Sequence, residues 1–417
     1  MAFRFIHTAD LHLDSPLKTL ALRDAELGGL IANATRQAFV RIIDACLEER
    51  VDALVVAGDL YDREIRGTAT LLFLAGQFKR LQDADIAVFI VRGNHDAAAV
   101  VTRHLTLPDN VTVFSTRGEC KLLREQHIAV HGVSFKEGHV ATSLVPLLKP
   151  PVEGAINIGI LHTSLAGAEG HDVYAPCAVN DLVLQGYDYW ALGHIHKRQI
   201  HHSSPTIIMP GIPQGRDINE AGAKSATLVS INDSRDIHLA EVQTAVAQFE
   251  RITIDVSGCE DVLAVAGHMR IALEAKLQAL SADTLVARMT LTGVTPLAAR
   301  LRRDPEIILA EAQQAALNAG RTLIDTVEIR VRGLETKRTQ GVDPLSEIRG
   351  MLVEHGEGTR ALLPSAISVI KELQSSLPAE LRDQFGGDDA ALAALALRLI
   401  DEGSEEVLAR ITDDGLT

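Results

Sequence analysis

Short apolar runs separated by segments of helical period fill the first 245 residues. The runs at 3–7, 53–57, 86–91, 111–114, 128–133, 156–161, 189–192, 206–209, 226–231 and 237–242 are rich in β-branched and aromatic residues, as strands are. Between the first two lies 35–49, where Ala38, Ile42 and Cys46, with Phe39 and Ile43 beside them, recur at helical spacing. The segment 70–81 reads the same way. Alternation of strand and helix early, then strands in succession, predicts a mixed α/β sandwich rather than one doubly wound sheet.

From Phe249 the texture changes. The pattern predicts a strand at 251–256, a helix at 260–280, a strand at 284–291, a helix at 305–320 closed by Gly320, and a strand at 326–331. Such a βαβαβ set is large enough for a small α+β domain. The charged stretch ETKRTQGVD after Gly333 reads as a linker. Beyond it, helices are expected at 344–355, 363–377, 379–385 and 390–400. The expected domains are therefore 1–245, 246–335 and a helical region at 336–417.

Composition removes whole classes of function. Hydrophobic residues are 47% and charged residues 23%, which supports sizeable cores and excludes a disordered chain. Aromatic residues are 4%, against a protein that binds single strands mainly by stacking. The net charge is −15, divided as −6, −2 and −7 over the three expected domains, so no region has a basic footprint. Action on nucleic acid would need bound metal ions or a basic partner. Cys46, Cys120, Cys177 and Cys259 are scattered singly, which fits reduced thiols in a cytoplasmic protein. No apolar core of a signal peptide precedes the first charges, and no run of about 18 apolar residues exists, so no membrane association is expected.

Five short motifs carry candidate chemistry: Asp10-Leu11-His12, Gly58-Asp59, Gly93-Asn94-His95-Asp96, Leu161-His162 and Gly193-His194-Ile195-His196. Each follows a predicted strand, and strand carboxyl ends are where ligands collect in α/β sheets. On an extended segment, Asp10 with His12, and His194 with His196, would point to one face, because the strand period is two. Carboxylate, amide oxygen and imidazole together suit Mn²⁺, Fe²⁺ or Zn²⁺, and the lack of thiolates with the Asn oxygen favours Mn²⁺. Any one motif is an ordinary turn or surface pair; five in this order imply a dinuclear site.

The order DxH, GDxxD, GNHD, H, GHxH resembles the calcineurin-like metallophosphoesterases. HTADLHLDSPL, AGDLYD, VRGNHD, LHTSL and ALGHIHK are similar to SbcD-type nuclease subunits of DNA repair, and the HLDSPL opening to their YhaO-like branch. The resemblance covers the first 215 residues and implies a four-layer αββα sandwich with a small capping domain and a helical tail. It implies that Asp10, His12, Asp59 and His196 hold one divalent ion, and that Asp59, Asn94, His162 and His194 hold a second. His95 would protonate the leaving oxygen, with Asp62 orienting it. Arg63 would contact substrate phosphate, although Glu64 stands where relatives have glycine. Two such ions polarise a phosphate and lower the pKa of a shared water. The implied activity is Mn²⁺-dependent phosphodiester hydrolysis, as a DNA exonuclease or endonuclease. The implied partners are DNA ends, an SbcC-like coiled-coil ATPase and a second copy in a homodimer.

Other readings stand beside this one. The same motifs serve a nucleotide or small-molecule phosphodiesterase or phosphatase, while the added domain and tail favour a large substrate. A non-catalytic scaffold would be expected to have lost a ligand position, and none is lost. Lys197, Arg198, His201 and His202 could grip a DNA backbone or be a solvated strand end. Arg300, Arg302 and Arg303 offer a similar choice, with a solvated face favoured. His7 and His131 read as structural. Arg216 and Asp217, after Pro210-Gly211-Ile212-Pro213, lie in a loop near the expected site and are given no role. The apolar positions Leu392, Leu395 and Leu399 pack on the chain itself or dock a partner helix.

Overall fold

The computed structural model describes residues 3–15, 25–62, 68–98, 107–124, 127–165, 174–334, 358–376 and 388–411. The chain divides into two compact units: Met1–Glu250 with Leu280–Val286, and Arg251–Ala279 with Ala287–Thr417.

The first unit is built on two six-stranded sheets. One has the order β12-β11-β1-β2-β3-β4, from β1 (Phe3–Thr8), β2 (Ala53–Ala57), β3 (Ala87–Val91), β4 (Val111–Val113), β11 (Ser225–Ile231) and β12 (Ile237–Gln243). The other has the order β5-β6-β7-β8-β10-β9, from β5 (Glu119–Leu123), β6 (Ile128–Gly132), β7 (Ile156–His162), β8 (Tyr189–Gly193), β9 (Gln199–Ser203) and β10 (Thr206–Met209). β1, β2, β3 and β4 run parallel, as do β6, β7, β8 and β10. Their strands are apolar on both faces, as strands covered on both sides must be. Phe5, Ala53, Val55, Ala57 and Phe89 meet Ile158, Ile160, Tyr189 and Ala191 between the sheets. The alternate residues Ile6, Leu54, Val56, Val88 and Ile90 face α1 (Ala25–Glu48) and α2 (Thr68–Gln82) through Phe39, Ile42, Ile43, Leu74 and Phe78. The outer face of the second sheet is covered by Leu144, Val145 and Leu182, the last on α4 (Val179–Leu184); α3 is Asn94–Ala98. This is the expected α/β sandwich in four layers, with a thin outer layer over the second sheet.

Two edge strands escape the hydrophobic pattern. β5 places Glu119 and Lys121 among its five residues, and β9 is Gln-Ile-His-His-Ser with Ile200 51% exposed. Edge strands covered on one side carry little apolar signal. Local contacts account for part of the basic stretch: Arg198, just before β9, reaches Thr227 and Glu241, and His202 Nδ1, within it, lies 2.9 Å from the Pro205 carbonyl. His7 Nδ1 is 3.0 Å from the Tyr189 hydroxyl and Nε2 3.0 Å from the Leu192 carbonyl, between the sheets; His131 Nε2 is 3.0 Å from Asn157 Oδ1. The four cysteines form no disulfide.

β13 (Ala247–Asp255), β14 (Thr284–Val294) and β15 (Thr322–Arg332), most of whose residues belong to the second unit, form one sheet in that order. α5 (Val262–Gln278) starts at Asp261, whose Oδ1 accepts the Ala264 N–H at 2.7 Å. α7 (Pro305–Ala319) packs against α5 and β15. α6 (Ala298–Arg303) carries the three arginines. Arg302 donates to the Val331 carbonyl at 2.5 Å and Arg303 pairs with Asp304 at 3.0 Å, so two of them serve the local structure. α8 (Gly358–Ser376) and α9 (Asp389–Ile411) meet through Ile370, Leu392 and Ala396, and α9 also packs against α6. Leu399 remains 44% exposed. The expected linker and the helices expected at 344–355 and 379–385 lie outside the described residues. Among the described residues no helix is long and apolar enough to cross a membrane.

Candidate metal centre

All five motifs sit at carboxyl ends of parallel strands. Asp10 and His12 follow β1, and Asp59 follows β2. Asn94 and His95 open α3 after β3, His162 closes β7, and His194 and His196 follow β8. Because the sheets pack face to face, these ends come together. Asp10, His12 and His196 offer ligand atoms within 4.8 Å of one another; so do Asp10, Asp59 and His162, and so do His12, Asp62 and His95. Asn94 Oδ1 is 2.9 Å from His162 Nε2. The His194 ring lies 5.2 Å from that of His162, and its backbone N–H donates to both Asp10 carboxylate oxygens at 3.1 and 3.0 Å. Arg63 lies outside the described residues.

The local backbone corrects one expectation. The segments carrying Asp10-x-His12 and His194-x-His196 are not simply extended: Asp10, His12, Asp59 and His194 have φ of 53°, 41°, 52° and 107°. Left-handed backbone at non-glycine residues is uncommon, and it collects where function holds it in place. Close approach also dictates two glycines. A Cβ at Gly93 would stand 2.2 Å from Asp59 Oδ1, and one at Gly58 would stand 2.4 Å from His162 Nδ1. Only glycine lets these turns come so near the acids and imidazoles.

His162 and His196 are each held from outside and present the other nitrogen inward. His162 Nδ1 lies 2.9 Å from the Ala57 carbonyl, while Nε2 lies 3.4 Å from Asp59 Oδ2. His196 Nδ1 lies 2.7 Å from Glu220 Oε1, while Nε2 lies 3.2 Å from His12 Nε2. His12 Nδ1 is buried with no hydrogen-bond partner. At the rim, His95 Nδ1 is 3.0 Å from Asp62 Oδ1, and Ser15 Oγ donates to Asp62 Oδ2 at 2.8 Å. The His95 backbone N–H donates to Asp59 Oδ1 at 2.9 Å.

The charges are strained by burial. Burial raises the pKa of Asp10 despite His162 and His196. Burial pushes Asp59 the same way, but the His162 imidazole outweighs it and holds the carboxyl well below its usual range. Burial works against protonation of His162, yet Asp59 and Asp10 push it up to about 9. His12 is lowered by burial and by Arg216. Asp62 is lowered by the hydrogen bonds from His95 and Ser15, which overcome burial. Asp96 is pushed up to about 7 by burial and by Asp59; it accepts the Tyr61 and Gly93 N–H groups at 3.0 Å.

This donor set fits divalent cations. Buried carboxylates and imidazoles converge with an amide oxygen, and carbonyl or carboxylate contacts fix the ring orientations. A cation would compete with the His162 proton and neutralise Asp10 and Asp59. Sequence patterns missed Ser15 and Glu220, and gave Arg216 no role. Arg216 donates through its backbone N–H and Nη2 to Glu220 at 2.7 Å each, and its Nη1 lies 4.0 Å from Asp62 Oδ2. The only trace of this pair in the chain is the spacing of four residues, which on a loop carries no rule.

Comparison with known proteins agrees with the geometry. Residues 3–198 match the calcineurin-like phosphoesterase family, and residues 249–332 match the middle domain of metallophosphoesterase YhaO. The chain is 36% identical over 266 residues to an uncharacterized metallophosphoesterase YhaO of Bacillus subtilis, covering 63% of this chain. The match spans 65% of that relative, a little under two thirds of its length. It is 22% identical over 427 residues to a DNA double-strand break repair protein Mre11 of Methanopyrus kandleri, covering 92% of this chain and 85% of that one. A protein of the same description from Archaeoglobus fulgidus is 22% identical over 435 residues, covering 93% and 92%.

Proposed function

We propose, for a chain whose first unit has the metallophosphoesterase sandwich, that it is a divalent-metal-dependent phosphodiesterase acting on DNA. The observation that carries this reading is the His95–Asp62 pair, 3.0 Å apart, beside the convergent Asp10, His12, Asp59, His162 and His196. The similarity to Mre11 proteins across most of the chain supports DNA as the substrate class.

Asp10, His12, Asp59 and His196 would hold one cation, and Asp59, Asn94, His162 and His194 the other. Manganese is the proposed ion, with iron or zinc able to serve. When bound, the ions supply Lewis acidity toward phosphate and a water nucleophile near neutral pH. The chain's own residues do the rest. The Ala57 carbonyl holds the ring of His162, and Asp10 orders the backbone at His194. Asp62 and Ser15 fix the His95 ring at the rim, where it donates a proton to the departing sugar oxygen. Such general-acid help is worth roughly 10²–10⁴-fold. We place an SbcC-like coiled-coil ATPase partner on the helical tail, where α8 and α9 expose Leu362, Val369 and Leu399.

The test is Mn²⁺-dependent cleavage of end-labelled linear and closed circular DNA. Wild-type protein should cut, and His95→Ala should lose roughly 10²–10⁴-fold in rate while still binding metal. Asn94→Ala and His196→Ala should lose both. Hydrolysis of nucleotides with none of DNA would replace this reading with the small-molecule one. Full nuclease rate in His95→Ala would remove the general acid.

A further inference from the structure

Six side chains close a ring at the mouth of the candidate centre. His196 faces His12 at 3.2 Å between Nε2 atoms, and the His12 ring meets that of His95 edge-on at 4.7 Å. His95 pairs with Asp62 at 3.0 Å, and Asp62 faces Arg216 at 4.0 Å. Arg216 binds Glu220 at 2.7 Å, and Glu220 returns to His196 at 2.7 Å. The ring contains two histidine–carboxylate pairs, and one guanidinium sits between their carboxylates. Of its members, Glu220 and Arg216 have no place in the metal-ligand or proton-donor sets above.

We propose that Glu220 and Arg216 are positioning residues of this centre: Glu220 aims His196 at a cation, and Arg216 ties Glu220 to Asp62, the partner of His95. The inference rests on the metal reading of the site. With its Nδ1–H donated to Glu220, His196 keeps its Nε2 lone pair turned inward, in one tautomer and one orientation. Glu220 is itself held: the Arg216 backbone N–H donates to Oε2 at 2.7 Å and the guanidinium Nη2 to Oε1 at 2.7 Å. The two carboxylates would repel across this small space. The planar Arg216 fork, only 18% exposed, faces both and holds them in register. A single guanidinium thus fixes the geometry of a metal-holding histidine and of a proton-donating one.

The test uses the full chain stripped with chelator and titrated with Mn²⁺ by calorimetry, with folding checked by circular dichroism. Glu220→Ala should weaken Mn²⁺ binding about 10–100-fold, the usual size for a lost outer partner of a ligand histidine. Glu220→Gln keeps an acceptor but no charge and should fall between the two, and it decides the matter if Glu220→Ala does not fold. The cleavage deficit of the Glu220 variants should shrink as Mn²⁺ is raised. Arg216→Met should weaken Mn²⁺ binding and also keep a rate deficit at saturating Mn²⁺, because Asp62 has lost its neighbour; Arg216→Lys should recover part of both. Wild-type Mn²⁺ affinity in folded Glu220→Gln and Arg216→Met would overturn the inference alone. Failure of the wild-type chain to take up Mn²⁺, Fe²⁺ or Zn²⁺ would overturn the metal reading beneath it.

Discussion

The space between the two sheets and the ends of their strands each bury a histidine completely, and the two places are chemically opposite. His7 lies in the first and His162 in the second, and neither exposes any surface. His7 meets a tyrosine hydroxyl and a carbonyl, and burial lowers its pKa to about 3. His162 meets Asp59 and Asp10, and they push it up to about 9 against the same burial. Burial therefore does not decide what a histidine does in this protein; the charge of what it faces does. One region is built to keep imidazole neutral, and the other to concentrate charge that a cation would balance.

The largest effect that separates the regions is metal uptake. His162→Ala should abolish Mn²⁺ binding at one of the two proposed positions, whereas His7→Gln should leave the stoichiometry of the folded protein unchanged. Calorimetric titration of both variants checks this. Equal loss in the two would erase the distinction.

Next in size is the pH dependence of stability, which should have opposite sign in the two places. His7 binds its proton more weakly folded than unfolded. Its contribution is complete above pH 6.5 and is lost as pH falls toward 3, by up to about 5 kcal/mol from a shift of that size. His162 binds its proton more tightly folded. In chelator-treated protein its contribution is complete below pH 6.5 and is lost as pH rises through 9, by up to about 3 kcal/mol. Denaturant midpoints across pH 4–10 for wild type, His7→Gln and His162→Gln read both slopes. His7→Gln should flatten the acid side, and His162→Gln the alkaline side. Mn²⁺ must displace the His162 proton, so its binding should tighten as pH rises toward 9 and should release protons.

The sequence shows the chemistry of the strand ends better than their shape. Apolar runs followed at once by Asp10-x-His12, Asp59, Asn94-His95, His162 and His194-x-His196 place these residues, because buried parallel strands must be apolar and their carboxyl ends must be polar. Period two, however, predicts extended segments where Asp10, His12 and His194 turn left-handed. No local pattern marks that turn, since tertiary contacts impose it. Glu220 was illegible for a related reason: it lies 24 residues beyond His196, across β9 and β10, and only the folded sheet returns it to 2.7 Å. β5 and β9 left no trace because an edge strand need not be apolar.

The smallest effect concerns a carboxylate that does an ordinary job, and it measures how special those of the centre are. Asp261 opens α5 with backbone in the extended region, and its Oδ1 accepts the Ala264 N–H at 2.7 Å. Nothing about it is strained or buried away from water. It satisfies one of the helix's unpaired N–H groups and adds a negative charge at the end where the helix dipole favours it. Asp261→Ala should therefore cost about 1 kcal/mol, the usual value for a lost cap. Asp261→Asn or Asp261→Ser should recover most of that, because the acceptor matters more than the charge. Asp59→Asn at the centre should behave in the reverse sense. An amide there retains an acceptor and nearly the same shape but loses the negative charge proposed to face both cations, so Mn²⁺ affinity should collapse. If Asp59→Asn were as mild as Asp261→Asn, the strand ends would be just another place where a polar side chain satisfies backbone.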